Sequence, residues 1–366
     1  MILSASRAMH KHLCREQTEV LHKMNMNGIV ARIEELCAIE SPTGMTMAAA
    51  DYVAGVLDAL GVKNWMTRKG NVVAELGGEG APLALCAHVD TLGLMVSAIK
   101  PNGRLKFSHI GGISDNSIEN ENVIIHTRDG RAYDGTVQSI YASRHVFAGR
   151  DQCARDTDNM EIVIDEITHS AEETRALGIM NGDFVTLDPR TRVTESGFIK
   201  SRHLDDKACA ALLLEFAARV KRGETKLGRK VYLMFSVYEE VSHGASAGLP
   251  ADVEDVLIVD MGCVGGDLEG DETRVSIDAK DAGGPYNYQM TTRLIELAKQ
   301  HELEFAVDVF TSYSSDAATA LRAGYDVRHA LIGPGVFASH GYERTHVRAL
   351  ESTLRLIEAY ASECPL

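Results

Sequence analysis

The stretch Val231–Gly248, VYLMFSVYEEVSHGASAG, carries an apolar strand straight into two adjacent carboxylates, Glu239 and Glu240, followed by a histidine and glycines. Paired charge where a buried strand emerges costs free energy unless something positive meets it. The stretch therefore raises two expectations at once: a buried sheet, and a cation at its edge.

The same address recurs along the chain. His88 and Asp90 follow LALC in APLALCAHVD, a strand so apolar that it belongs in the centre of a sheet. Asp260 closes VLIVD, His340 follows HALIGPGVFAS, and Asp205 and Asp206 open the helical segment DDKACAALLLEFAARVK. Such strands alternate with helical segments such as NGIVARIEELC and NYQMTTRLIELAKQH, which predicts an α/β fold whose ligands bind beyond the carboxyl ends of the strands. From about 91 to 194 the texture changes. Short strands (LGLMVSAI, RLKFSHI, NVIIHT, DGTVQSI, DFVTLD) are spaced by turn signals, the pattern of a small β-barrel or sandwich. The expected organisation is an N-terminal extension over 1–27, a catalytic domain in two parts over 28–91 and 195–366, and an all-β insertion over 92–194.

Composition narrows the function. The formal net charge of -15, with no basic stripe, argues against nucleic acid or an anionic membrane as the main partner. Seven scattered cysteines, an odd number without a C-x-x-C pair, suit a reducing compartment, so the expected location is cytoplasmic. Residues 1–27 contain no apolar stretch long enough for a signal peptide or a membrane span.

Two histidines with several carboxylates and no thiolate suit Zn²⁺, Co²⁺ or Mn²⁺. With a bridging carboxylate, two ions can sit about 3.5–4 Å apart and share an activated water. An adjacent Glu-Glu pair then supplies one ligand and one proton shuttle. Singly, each group also has an ordinary structural reading, a buried His satisfied by its Asp neighbour or an Asp capping a helix. HELEF at His301–Phe305 opens like the H-E-x-x-H zinc motif but lacks its second histidine. GASAG at Gly244–Gly248 matches G-x-S-x-G and precedes Asp260 and His340 in α/β-hydrolase order, so a serine hydrolase using Ser246 is the rival reading. Against it, Glu239–His243 separate the strand from the first glycine. A metal-binding but inactive assembly protein is a further alternative.

Taken in order, CAHVDTLGLMV, SRHLDDKACA, VYEEVSHGA, VLIVDMG, SIDAKDAGGPYNY and ASHGYERTH resemble the M42 family of metallopeptidases, the glutamyl aminopeptidase type, from about residue 28 to the C-terminus. The resemblance implies a mixed-sheet α/β/α aminopeptidase-like catalytic domain with a small barrel-like domain inserted. It implies a two-metal enzyme, zinc foremost with cobalt or manganese tolerated, that removes N-terminal residues from peptides using a metal-bridging water. Asp205 would bridge the ions, His88 and Asp260 would complete one site, and Glu240 and His340 the other. Glu239 would be the general base, and Asp90 would fix the tautomer of His88. Homo-oligomers built from dimers through the β insertion, up to a dodecamer, are also implied. Two departures from the family pattern, Ser242-His243 after the glutamate pair and Thr91 after Asp90, touch no implied ligand.

Overall fold

The structure, a computed structural model, describes residues 26–363. The expected extension over 1–27 lies outside them except for its last two residues. Helix α1 (26–38) buries Ile29, Ile33 and Leu36 along one face and ends before the Ser41-Pro42 step, where proline disfavours helix in the residue before it. Helix α2 (Met47–Ala59) stops ahead of Gly61, whose φ of 66° lies in the left-handed region. Strands β1 (Lys63–Met66), β2 (Val72–Gly77) and β3 (Leu83–His88) follow.

From the end of β3 the chain leaves for a closed barrel. Its strands are β4 (Gly93–Ile99), β5 (Leu105–Ile110), β6 (Asn122–His126), β7 (Ala132–Ser139), β8 (Met160–Ile164) and β9 (Phe184–Leu187), in the order β4-β5-β8-β7-β6-β9. Short helices α3 (Asp115–Ile118) and α4 (Ala171–Ala176) lie in its connections. Alternation fills it: on β6, Val123 and Ile125 are buried in a core with Leu94, Phe107 and Val137.

The chain returns through β10 (Arg192–Val193), β11 (Phe198–Ser201) and α5 (Leu204–Arg222). Then come β12 (Val231–Ser236), β13 (Asp255–Val259), β14 (Gly262–Val264), β15 (Val275–Asp281), β16 (Gly284–Pro285), α6 (Tyr288–Gln300), β17 (Phe305–Val309), α7 (Asp316–Arg322), β18 (Arg328–Phe337), β19 (Glu343–His346) and α8 (Val347–Ala361). The sheet is mixed: β12, β3, β13 and β18 run parallel side by side, with β2 antiparallel to β12 and β15 antiparallel to β18.

Both faces of the sheet are covered, which is why β3 is apolar up to His88. Leu83, Leu85 and Ala87 join the core formed with α1, α2, α5, α6 and α8, while Ala84 and Cys86 join the one formed with Ala317 and Ala320 of α7. Full burial of each Leu or Val there is worth about 1.5–3 kcal/mol. The strand register gathers the polar ends. Ser236 of β12 lies opposite His88 of β3, and β13 ends one residue before Asp260, so three neighbouring parallel strands deliver their carboxyl ends to one crevice.

Candidate metal centre

His88 ends β3 with its ring 1% exposed. Its Nε2 lies 3.0 Å from Oδ1 of Asp205, and its Nδ1 lies 3.0 Å from the main-chain carbonyl of Asp90. A proton on Nδ1 donates to that carbonyl and leaves the Nε2 lone pair facing the crevice. The Asp90 carboxylate is 3.5 Å from Nδ1, but its hydrogen bonds come from the Thr43 hydroxyl at 2.6 Å and from the main-chain N–H groups of Glu239 and Glu240 at 3.1 and 3.3 Å. Asp90 thus holds the imidazole chiefly through its main-chain oxygen, while its side chain seats the glutamate pair.

Asp205 and Asp206 stand at the start of α5 with non-helical torsions and are joined by a cis peptide bond. Asp205 divides its carboxylate, with Oδ1 toward His88 and Oδ2 at 3.5 Å from Nε2 of His340. Glu240 Oε2 stands 3.5 Å from the same His340 nitrogen, and Glu239 Oε2 stands 3.9 Å from Nε2 of His88. Asp206 turns the other way: Oδ2 accepts the His88 main-chain N–H at 3.1 Å, and Oδ1 has no hydrogen-bond partner among the described residues. Donor atoms close within 4.8 Å in two groups, His88 with Asp205 and Glu240, and His88 with Asp206 and Asp260. The second contains Asp206, which the sequence offers only as half of an acidic pair at a helix start.

Three supporting residues escape a reading by strand ends. Glu343, buried on β19, accepts the main-chain N–H of Asp205 at 3.0 Å on one oxygen and that of His340 at 3.1 Å on the other. Asp316, buried at the start of α7, accepts the Ser236 hydroxyl at 2.6 Å and the Ala245 N–H at 2.7 Å. It also explains Gly244, where an added Cβ would stand 2.2 Å from Asp316 Oδ1. The third is Gly112 of the β5–α3 connection, whose carbonyl lies 2.9 Å from Nδ1 of His340 and so turns Nε2 toward Asp205 and Glu240.

Ser246 is differently engaged. Its hydroxyl donates to the His243 carbonyl at 2.8 Å and accepts from Lys69 at 3.1 Å, so neither Asp260 nor His340 serves it as a base. The glycine-rich segment is held as a structural loop by Asp316.

Burial, with Asp205 second, pushes the Glu240 carboxyl up to about 8 and the Asp260 carboxyl up to about 7, and burial raises Glu239 well above the carboxylate range. On His88 burial opposes charge, but the Asp205 and Asp90 carboxylates outweigh it and lift the imidazole well above its usual value. On His340 burial likewise opposes charge, and Asp205 and Glu240 raise it to about 10. Among the described residues no Lys or Arg pairs with Asp205, Asp206, Glu239, Glu240 or Asp260. Buried carboxylates without a side-chain cation, an unpartnered Asp206 oxygen and two imidazoles with one nitrogen each turned inward make a donor set that fits divalent cations.

The cluster forms one end of a cavity of about 780 Å³ that continues past Met261, Leu268, Phe310 and Tyr313. Among the described residues no helix is long and apolar enough to cross a membrane.

The sequence of this site has known counterparts. The profile of the family described as M42 glutamyl aminopeptidase matches residues 70–356. The chain belongs to the M42 peptidase family. This M42 chain is 43% identical to the putative aminopeptidase YhfE of Bacillus subtilis (strain 168) over 330 residues, 90% of this chain and 95% of that one. It is 23% identical to the lysyl aminopeptidase of Pyrococcus furiosus over 337 residues, 89% of this chain and 95% of that one. Its fold matches that of the Pyrococcus horikoshii TET1 peptidase, which can assemble into a tetrahedron or a large octahedral shell, with a TM-score of 0.80, 24% identity and coverage of 92% of this chain and 99% of that one.

Proposed function

We propose that this chain is an aminopeptidase that holds two divalent cations, zinc foremost with cobalt or manganese as alternatives, and hydrolyses the first peptide bond of its substrates. The observation that carries this reading is the division of the Asp205 carboxylate between the inward-facing nitrogens of His88 and His340. His88 and Asp260 would hold one ion with Asp205, and Glu240 and His340 the other. Asp206, close enough to His88 and Asp260 to donate, instead braces His88 from behind, its Oδ2 accepting the His88 main-chain N–H. Such ions, when bound, polarise a carbonyl and make a water acidic enough to deprotonate near neutral pH.

Glu239 takes the proton of the attacking water on its carboxylate and passes it to the leaving amine nitrogen. Its surroundings suit that work: its carboxylate stands 3.9 Å from Nε2 of His88, beside the proposed ligands, and its main-chain N–H is fixed by Asp90. A carboxylate not needed as a ligand, yet held beside the ligands, is what separates a catalytic site from a purely structural one. In this reading Asp90 is a positioning residue that sets both His88 and the Glu239-Glu240 turn.

In this reading the enzyme acts in the cytoplasm as a homo-oligomer, with the barrel as the dimer contact and a dodecamer as the larger assembly; the TET1 peptidase of the same fold, which can assemble into a tetrahedron or a large octahedral shell, supports the homo-oligomer alone. The test is hydrolysis of aminoacyl-p-nitroanilides before and after chelation, with Zn²⁺, Co²⁺ or Mn²⁺ restored. Activity should vanish on chelation and return with metal. Chelator-resistant hydrolysis would contradict the proposal.

A further inference from the structure

We infer that the cavity beside the candidate metal centre selects an apolar N-terminal side chain and rejects an acidic one, with Leu268 and Val309 as specificity-determining residues. The inference rests on the aminopeptidase reading and names its substrate class.

The charge pattern of the cavity is one-sided. Apart from the carboxylates given to cation binding and proton transfer, its wall carries the acidic Asp267 and the imidazole of His340, and among the described residues no Lys or Arg lines it. His340 is committed to Asp205 and Glu240. A glutamate or aspartate side chain turned to the wall away from the ions would leave water, meet no lysine or arginine there and approach Asp267. An anion moved into such a site without a partner is rejected more strongly than any loss of apolar contact.

The far wall has the opposite character. Half-buried Leu268 and exposed Val309 supply apolar surface, backed by the buried Met261 and Phe310, and the Phe310 ring is pinned edge-on against Tyr313 with centroids 5.5 Å apart. The wall is therefore preformed, so an apolar side chain gains burial there without first ordering the pocket. Asp267 could attract a lysine side chain, but it is exposed, and an exposed pair is screened and worth little. An apolar residue should thus rank above a basic one, and both far above an acidic one.

Selectivity of this kind is set by the pocket wall, so it can be moved without touching the ligands. Leu268→Lys places an ammonium on the wall where the parent side chain offers only apolar contact.

The experiment measures kcat/KM of the metal-loaded full chain on Leu-, Met-, Phe-, Lys-, Glu- and Asp-p-nitroanilide, and repeats the Leu and Glu pair with Leu268→Lys. The inference expects Leu, Met or Phe first and Glu at least about 100-fold below Leu. It expects the Glu-to-Leu ratio to rise at least about 10-fold in the variant. Glu, Asp or Lys ranking first, or a ratio unmoved by Leu268→Lys in a folded and still active variant, overturns the inference while leaving the aminopeptidase reading standing. Hydrolysis of none of the six with metal bound overturns both.

Discussion

Glu343 holds Asp205 by its backbone: one carboxylate oxygen accepts the Asp205 main-chain N–H at 3.0 Å, and the other accepts that of His340 at 3.1 Å. One buried side chain therefore sets the spacing between the proposed bridging carboxylate and an imidazole that arrives from a loop far along the chain. Glu343→Gln turns an amide N–H₂ toward one of these donors, and loss of an outer partner of a metal site typically costs about 10–100-fold in affinity or activity. The expected result is a loss of that size in kcat/KM with an unchanged far-ultraviolet circular dichroism spectrum. Parent-like kinetics would show that the two backbone contacts do not set the site.

Asp205 itself faces both imidazoles, so its loss should not behave like the loss of a ligand to one ion. Asp205→Asn is expected to lower bound metal from two equivalents toward none and to reduce kcat/KM by more than about 100-fold. His340→Ala, in contrast, should spare the ion nearer His88. Elemental analysis of the purified variants distinguishes the two patterns, and a single lost equivalent for Asp205→Asn would count against a bridging role.

Arg202 links the barrel to the loop that bears His340. Its buried guanidinium lies 3.0 Å from Glu121, donates to the Ser117 carbonyl and reaches the Gly341 carbonyl at 3.4 Å. Removing it leaves the buried Glu121 with Arg190 at 2.8 Å as its ion partner. Removing one partner of a buried pair costs about 3–5 kcal/mol, less here because Arg190 remains, so Arg202→Met is expected to destabilise by about 2–3 kcal/mol in urea unfolding. A change under about 0.5 kcal/mol would mean that the linkage carries no energy.

Asp278 gives a pH signature away from the cluster. Burial pushes its carboxyl up to about 8, with one oxygen accepting the Lys280 N–H at 3.1 Å and the other unpartnered among the described residues. Because the folded value is raised above the unfolded value of about 3.9, the unfolded chain loses this proton first. The contribution to stability is present at about pH 4 and below, declines as pH rises, and is gone above about 8. Asp278→Asn should therefore exceed the parent in stability by about 1–3 kcal/mol at pH 9, with the gain shrinking toward pH 4. A gain that grows on acidification would contradict the sign.

How much of this was legible in the sequence depended on the range of the interaction. The β3 and β12 strands read clearly because burial on both faces writes a continuous apolar run. Strand β15 did not, since VSIDAKD carries three charges in seven residues and owes its extended state to pairing with β17 and β18. The histidines and acids that end apolar strands stood out for the same reason that β3 did: polarity there conflicts with burial. Glu343 and Asp316 did not, because each serves main-chain N–H groups 138 and 71 residues away, and no local pattern records such a contact. The division of labour within Asp90, main-chain oxygen to His88 and side chain to the glutamate pair, likewise needed coordinates.

The central claim is that Glu239 moves the proton while its neighbours hold the ions. The most direct test is Glu239→Gln, assayed for bound metal by elemental analysis and for turnover on the best p-nitroanilide in the same preparation. The expected outcome is two equivalents of metal retained and kcat reduced by at least about 100-fold, the lower range for loss of a general base. Turnover within a few-fold of the parent, with metal retained, would contradict it.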